Sequence, residues 1–261
     1  MSRAREPDGA PSGRIGWVVD VQNDFMLPPE EGGRLYVHDL NDPEDPGARL
    51  ARARIEEAVA WMRLNCDVLV FTGDWHSLDD EEIDPDDPDP GEGTYPPHCM
   101  GLSADPDERA GAELLASIRP EDPIVLERDA DTERAREVAR AALEEGRPIF
   151  IHKNRFNVFD GNPAADPLLE ALAEALGGDP EIVIAGVSRD VCVTEAVEGM
   201  QARGYRTTTV RDATWGLGLE PEAETLARWA RGGRVVTLPE LRSGAGDPDR
   251  PSGTGGGGSP V

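Results

Sequence analysis

The chain has 261 residues, 38 % of them hydrophobic, with 52 acidic against 26 basic residues and a formal net charge of −26. That length suits one large α/β domain or two small ones, with enough apolar content for a core. So negative a surface argues against nucleic acid or an anionic membrane as partner, because both attract positive charge.

Residues 1–13 are polar, contain Pro and Gly, and read as a flexible N-terminus. They have no apolar stretch of the secretory kind, and no window of the chain approaches the ~18 apolar residues of a membrane span. The expected location is the cytoplasm. One domain is expected over 14–243. Its first apolar run is "IGWVVD" (15–20). Residues 50–64 then show helical period, with Leu50, Ala51, Ile55, Ala58, Val59 and Met62 on one side. "DVLVFT" (67–72) follows, and after it a long loop, 74–107, rich in Asp, Glu and Pro. A long irregular segment inside a domain is usually functional. The next runs are "PIVLE" (123–127) and "PIFIHK" (148–153). A helix is expected over 166–177, opened by Asp166 as a cap with Pro167 after it and closed on Gly177. "EIVIAGV" (181–187) leads to a helix over 191–203, where Val193, Ala196, Val197 and Met200 recur at helical spacing. "RTTTVRD" (206–212) and "RVVTL" (234–238) complete the set. Residues 244–261, with their GGGGS, are low in complexity and expected to be disordered.

The apolar runs are short, unbroken and rich in Val and Ile, as are strands buried on both faces of a parallel sheet. Alternation with helical segments implies a doubly wound α/β fold. Ligands in such folds bind beyond the carboxyl ends of the strands.

Three residues stand at such ends: Asp20, Lys153 and Cys192. Lys153 is the only lysine in the chain; every other basic residue is arginine. An ammonium shifts its pKa more readily than a guanidinium, so a lone lysine is a candidate for chemistry. Cys192 falls at the start of a helix, where dipole and neighbouring cation favour a thiolate and lower its pKa. A carboxylate nearby can take the thiol proton. Each residue also has an ordinary use: a core thiol, a turn-forming Asp, a surface charge. The three cysteines, Cys66, Cys99 and Cys192, fit neither a disulfide framework nor a zinc spacing.

"VVDVQNDF" (18–25), "GDWH" (73–76), "YPPHC" (95–99), Lys153 and "AGVSRDVCV" (185–193) resemble, in the same order, the motifs of the nicotinamidases and isochorismatase-like cysteine hydrolases. The resemblance spans about residues 14–215. It implies a three-layer αβα sandwich round a mostly parallel six-stranded sheet, with Asp20, Lys153 and Cys192 as catalytic triad. It also implies an oxyanion hole from the backbone N–H groups of Ser188 and Cys192, at a cis peptide between Val187 and Ser188. One divalent metal, Zn²⁺ or alternatively Mn²⁺ or Fe²⁺, suits the Asp and His donors of the loop. By resemblance its ligands are Asp74, His76 and His98, with Glu82 or else Glu81 as the fourth. Phe25 and Tyr95 would sandwich an aromatic substrate, although Tyr95 stands where nicotinamidases usually have Trp. The segment after Cys99, "MGLSADPDERAGAEL", is several residues longer than the usual turn.

The implied activity is nicotinamide hydrolysis to nicotinate and ammonia through a thioester on Cys192, a step of pyridine nucleotide salvage. The alternatives are a sister hydrolase acting on another amide or a ureide, and a catalytically silent ligand-binding protein. The expected partners are a small-molecule amide and further copies of the chain, with no nucleic acid and no membrane.

Overall fold

The seven apolar runs form seven strands in the computed structural model, which describes residues 13–244. The expectations for residues 1–12 and 245–261 lie outside the described residues. The strands are β1 (Arg14–Val19), β2 (Val68–Asp74), β3 (Ile124–Leu126), β4 (Ile149–Lys153), β5 (Glu181–Val187), β6 (Arg206–Trp215) and β7 (Arg234–Val236). They make one sheet in the order β3-β4-β2-β1-β5-β6-β7, and every pairing is parallel. The sheet has seven strands rather than the six expected. The seventh, β7, adds only three residues against Thr208–Val210 of β6 at one edge.

Side chains alternate across the sheet as the two-residue strand period requires. Ile15, Trp17 and Val19 of β1, with Val68 and Val70 of β2, face helices Thr132–Glu145, Ala165–Ala175 and Thr194–Ala202. Val18, Leu69 and Phe71 face the opposite layer, chiefly helix Arg49–Asn65 through Ile55, Val59 and Met62. Burying each such side chain contributes about 1.5–3 kcal/mol. Both faces of the central strands are therefore committed to packing, and only their carboxyl ends remain for chemistry.

Two helix starts differ from expectation. After β4 and a short helix, Val158–Gly161, the next helix begins at Ala165, not on an Asp166 cap. The Asp166 carboxylate is held by Arg203, and the helix starts after Ala164 without a side-chain cap, the turn before it closed by Asn162 Oδ1, which accepts from Ala164 N at 2.9 Å. After β5 the chain makes one π-helical turn, Arg189–Val193, before the regular helix starts at Thr194. Cys192 lies in that turn.

The long loop is present. Residues 75–105 contain no helix or strand, but the segment folds back on itself. Tyr95 N donates to Glu82 O at 2.9 Å and Asp84 N to Tyr95 O at 2.9 Å, around an Ile83–Tyr95 bridge. This returns Glu82 and His98 to the end of β2. Among the described residues no helix is long and apolar enough to cross a membrane.

Gly186 sets the join between β1 and β5. Its φ is +134°, and a Cβ there would lie 2.1 Å from the Val19 carbonyl oxygen. Only glycine allows this approach. It coincides with a register shift against β6, and it brings the turn carrying Cys192 beside Asp20.

Candidate active site and metal centre

Asp20, Asp74, Lys153 and Cys192 follow or end β1, β2, β4 and β5, four adjacent strands at the centre of the sheet. Asp74 and Lys153 are register partners, so their side chains emerge together. Lys153 is 1 % exposed. Its Nζ donates to Asp74 Oδ1 and to Arg155 O at 3.1 Å, and points to Cys192 Sγ at 4.0 Å. Those directions use its three protons. Asp20 Oδ2 lies 2.9 Å from Nζ yet receives no aligned hydrogen bond, while Oδ1 accepts from Thr72 Oγ1 at 2.6 Å. Asp20 itself sits at φ +51°, beyond the end of β1. Asp20, Asp74 and Cys192 each bring one donor atom within 4.8 Å of the others. An ammonium thus stands among two carboxylates and a thiol, with Asp20 Oδ2 ion-paired to it but outside any aligned hydrogen bond.

Electrostatics correct two sequence expectations. The Cys192 thiol is pushed well up rather than lowered. Burial dominates; Lys153 favours the thiolate, but burial together with Asp20 and Asp74 outweighs it. The resting group is therefore a thiol that needs a base. Lys153 is no tunable acid either. Burial pulls it down, but Asp20 and Asp74 outweigh that and hold it well above the ordinary lysine range. Its advantage over arginine is compactness, not titration. Burial raises Asp20, Lys153 pulls it back in part, and Asp74 raises it further, which makes it a stronger base than a surface Asp.

Beside this cluster, Asp74, His76 and His98 converge, all buried, with their ligand atoms within 4.8 Å of one another. His76 Nε2 and His98 Nε2 each lie 3.9 Å from Asp74 Oδ2, too far for a hydrogen bond. The other ring nitrogens are turned outward. His98 Nδ1 meets Pro96 O at 2.8 Å, and His76 Nδ1 meets Asp80 Oδ2 at 3.3 Å. Asp80 is gripped in turn by Arg128 at 2.8 and 3.0 Å and by Ser77 N at 2.8 Å. Outer partners of this kind orient metal-binding imidazoles. His76 Nε2 is buried without any partner, and so is Glu82 Oε2. Buried polar atoms seldom go unsatisfied, so the donor set fits a cation. Burial and the proximity of His76 lower His98 to about 4, which keeps it in the neutral form that ligates metals. Burial pulls His76 down, but the carboxylates of Asp74 and Asp80 outweigh it and raise it to about 9. Burial, then Asp74, push Glu82 up to about 7. Glu81 instead points away, 76 % exposed and paired with Arg155 at 2.7 Å.

A cavity of about 30 Å³ adjoins both clusters, lined in part by Phe25, Asp74, Tyr95, His98, Ser188 and Cys192. The Phe25 and Tyr95 rings lie 5.4 and 6.1 Å from the His98 ring. The Val187–Ser188 peptide beside it is cis.

Sequence reasoning missed several supporting residues. Gln22 grips the Asp74 backbone from both sides, Nε2 donating to its O and Oε1 accepting from its N, each at 2.8 Å. Asp190 accepts from Ser188 Oγ at 2.9 Å, Leu217 N at 2.8 Å and Leu219 N at 2.9 Å. It thereby fastens the cavity wall at Leu217 to the turn that carries Cys192. Gln22 and Asp190 stood inside the motifs "VVDVQNDF" and "AGVSRDVCV"; Asp80 and Arg128 gave no local signal.

The fold and site define a hydrolase of the parallel αβα-sandwich class, with a thiol, a carboxylate and an ammonium gathered at one sheet edge. Residues 112–240 match the Isochorismatase domain. The nicotinamidase/pyrazinamidase of Mycobacterium tuberculosis is 28 % identical over 217 residues, 80 % of this chain and 90 % of that protein. An isochorismatase-like hydrolase from Alkaliphilus metalliredigens superposes with a TM-score of 0.61 at 17 % identity, covering 89 % of this chain and 98 % of the other. The pyrazinamidase of Pyrococcus horikoshii, solved in complex with zinc, gives 0.57 at 22 % identity, covering 87 % and 99 %. The chain is thus similar to the isochorismatase-like hydrolases, through residues 112–240 in sequence and through its fold.

Proposed function

We propose that the chain is a metal-dependent cysteine amidohydrolase acting on nicotinamide or a close aryl amide. The supporting observation is the buried Asp20 Oδ2, which has no aligned donor and stands in the same cluster as the Cys192 thiol and Lys153. Asp20 takes the thiol proton. The Cys192 sulfur attacks the amide carbon, and the backbone N–H groups of Ser188 and Cys192 hold the oxyanion, each worth about 2.7–4 kcal/mol in the transition state. The carbon–nitrogen bond then breaks and Asp20 returns the proton to the departing ammonia. A water molecule, deprotonated by Asp20, attacks the thioester, and the carbon–sulfur bond breaks. The acid leaves and Cys192 regains a proton. Lys153 stays charged throughout; it holds Asp20 in place and offsets negative charge on sulfur. Phe25, inside the small cavity, flanks the carboxamide, and Tyr95 at its mouth flanks the substrate ring. Asp74, His76 and His98, with Glu82 as fourth ligand, would hold Zn²⁺, Mn²⁺ or Fe²⁺. Such an ion supplies a Lewis-acidic coordination site. The relative from M. tuberculosis and the zinc complex from P. horikoshii support this reading.

The test is ammonia release from nicotinamide by metal-replete protein, with and without chelation, and with Cys192→Ala as blank. Chelator-sensitive release that vanishes in Cys192→Ala is expected. Release that survives in Cys192→Ala overturns the thioester. Silence on nicotinamide together with release from another amide or a ureide selects that second reading, which the small inner cavity also favours.

A further inference from the structure

Outside the inner cavity lies a second chamber of about 490 Å³. The two share Leu35, Tyr95 and Leu217, which form a collar between them. An inner space of about 30 Å³ holds a water or two, not a ring. Sites for small molecules usually measure about 300–1,000 Å³. The reacting carboxamide fits inside, and most of the group that carries it must lie at or beyond the collar.

The outer walls suit one kind of group. Seven of the seventeen lining residues are prolines, among them Pro28, Pro46, Pro88 and Pro96. Proline rings have no rotamer freedom to lose on binding. Tyr36 and His38 stack at 6.4 Å between centroids, and the Tyr36 hydroxyl donates to Pro46 O at 2.7 Å while accepting from Arg49 N at 2.9 Å. The wall is therefore preformed. Its charged members cancel in sign, Glu30 and Asp45 against Arg34 and Arg49. Asp45 is already engaged by Asp39 N at 2.6 Å and Trp215 Nε1 at 3.0 Å. In a chain of net charge −26, this is a locally balanced, rigid and largely apolar surface.

We infer that the outer chamber is a second substrate subsite, which takes a flat apolar or aromatic group carried on the acyl side of the amide through the Leu35–Tyr95–Leu217 collar. The inference rests on the amidase reading. It makes the preferred substrate an extended aryl amide rather than nicotinamide itself.

The test compares nicotinamide with a nicotinamide bearing a phenyl group para to the carboxamide. Calorimetry on metal-replete Cys192→Ala reads binding without turnover. The extended amide is expected to bind about tenfold tighter or better, a difference of about 1.4 kcal/mol. Leu40→Trp and Pro88→Trp, introduced singly into that protein, fill the chamber from two walls, and each should bring the affinity ratio close to one. Equal affinities at the outset, or a ratio that survives both substitutions, overturn the subsite. Ammonia release by the unsubstituted protein is measured alongside. Release from both amides with equal affinities sinks the subsite and leaves the amidase reading standing. A large ratio with release from neither does the reverse: the chamber binds as inferred and the amidase reading fails.

Discussion

Replacing Lys153 by methionine would strand two carboxylates in the interior. Asp20, Asp74 and Lys153 are 0, 1 and 1 % exposed, and among the described residues the ammonium is the one cationic side chain that bonds or ion-pairs with both. Removing one partner of a buried ion pair costs about 3–5 kcal/mol, because the other charge stays desolvated and uncompensated. Against a total stability of about 5–15 kcal/mol for a typical protein, that is a large fraction. Urea unfolding at neutral pH, followed by tryptophan fluorescence with chelator present, reads the loss. Adding Asp20→Asn removes one stranded charge while leaving an oxygen for Thr72, so the double variant should recover about 1 kcal/mol or more relative to Lys153→Met alone. A single variant as stable as the parent, or a double variant no better than the single, would refute the claim that Lys153 holds these carboxylates in the fold.

Lys153→Arg keeps the charge but has no room for a planar fork beside Asp74, Arg155 O and Cys192. Ammonia release should fall by about a hundredfold or more, and near-normal turnover would contradict the compactness argument. Asp80→Asn should loosen divalent metal by about 10–100-fold in chelator competition while the fold persists; unchanged affinity would remove Asp80 from the support of His76. Gly186→Ala puts a Cβ against the Val19 carbonyl at a φ that L residues avoid, and should cost about 3 kcal/mol or more. A thermal midpoint equal to the parent's would show that β1 and β5 can part without harm.

The strands were legible because burial on both faces leaves an unbroken apolar run, and "EIVIAGV" became β5 with the same limits. The residues at strand ends were legible for the same reason: once the sheet is parallel, its ends share an edge. Less visible was anything set by contacts distant in sequence. Gln22 reaches Asp74 across 52 residues and Arg128 reaches Asp80 across 48, and no local pattern announces either. The sign of the Cys192 shift failed for a related reason. A helix start and a lysine favour a thiolate, but the two carboxylates and the burial that outweigh them come from other strands. Asp166 shows the same competition on a smaller scale, drawn from capping its own helix by an arginine 37 residues away.

The burial of Lys153 also decides how the protein meets amine chemistry. It is the only lysine in the sequence, and it is sealed behind its partners. Amine-directed acylating reagents and crosslinkers find no lysine amine on the folded surface, and neither do enzymes that acetylate or ubiquitinate lysine. A dye ester mixed with the folded protein should therefore mark the α-amino group alone. Labelling at residue 153 would report that the fold had opened.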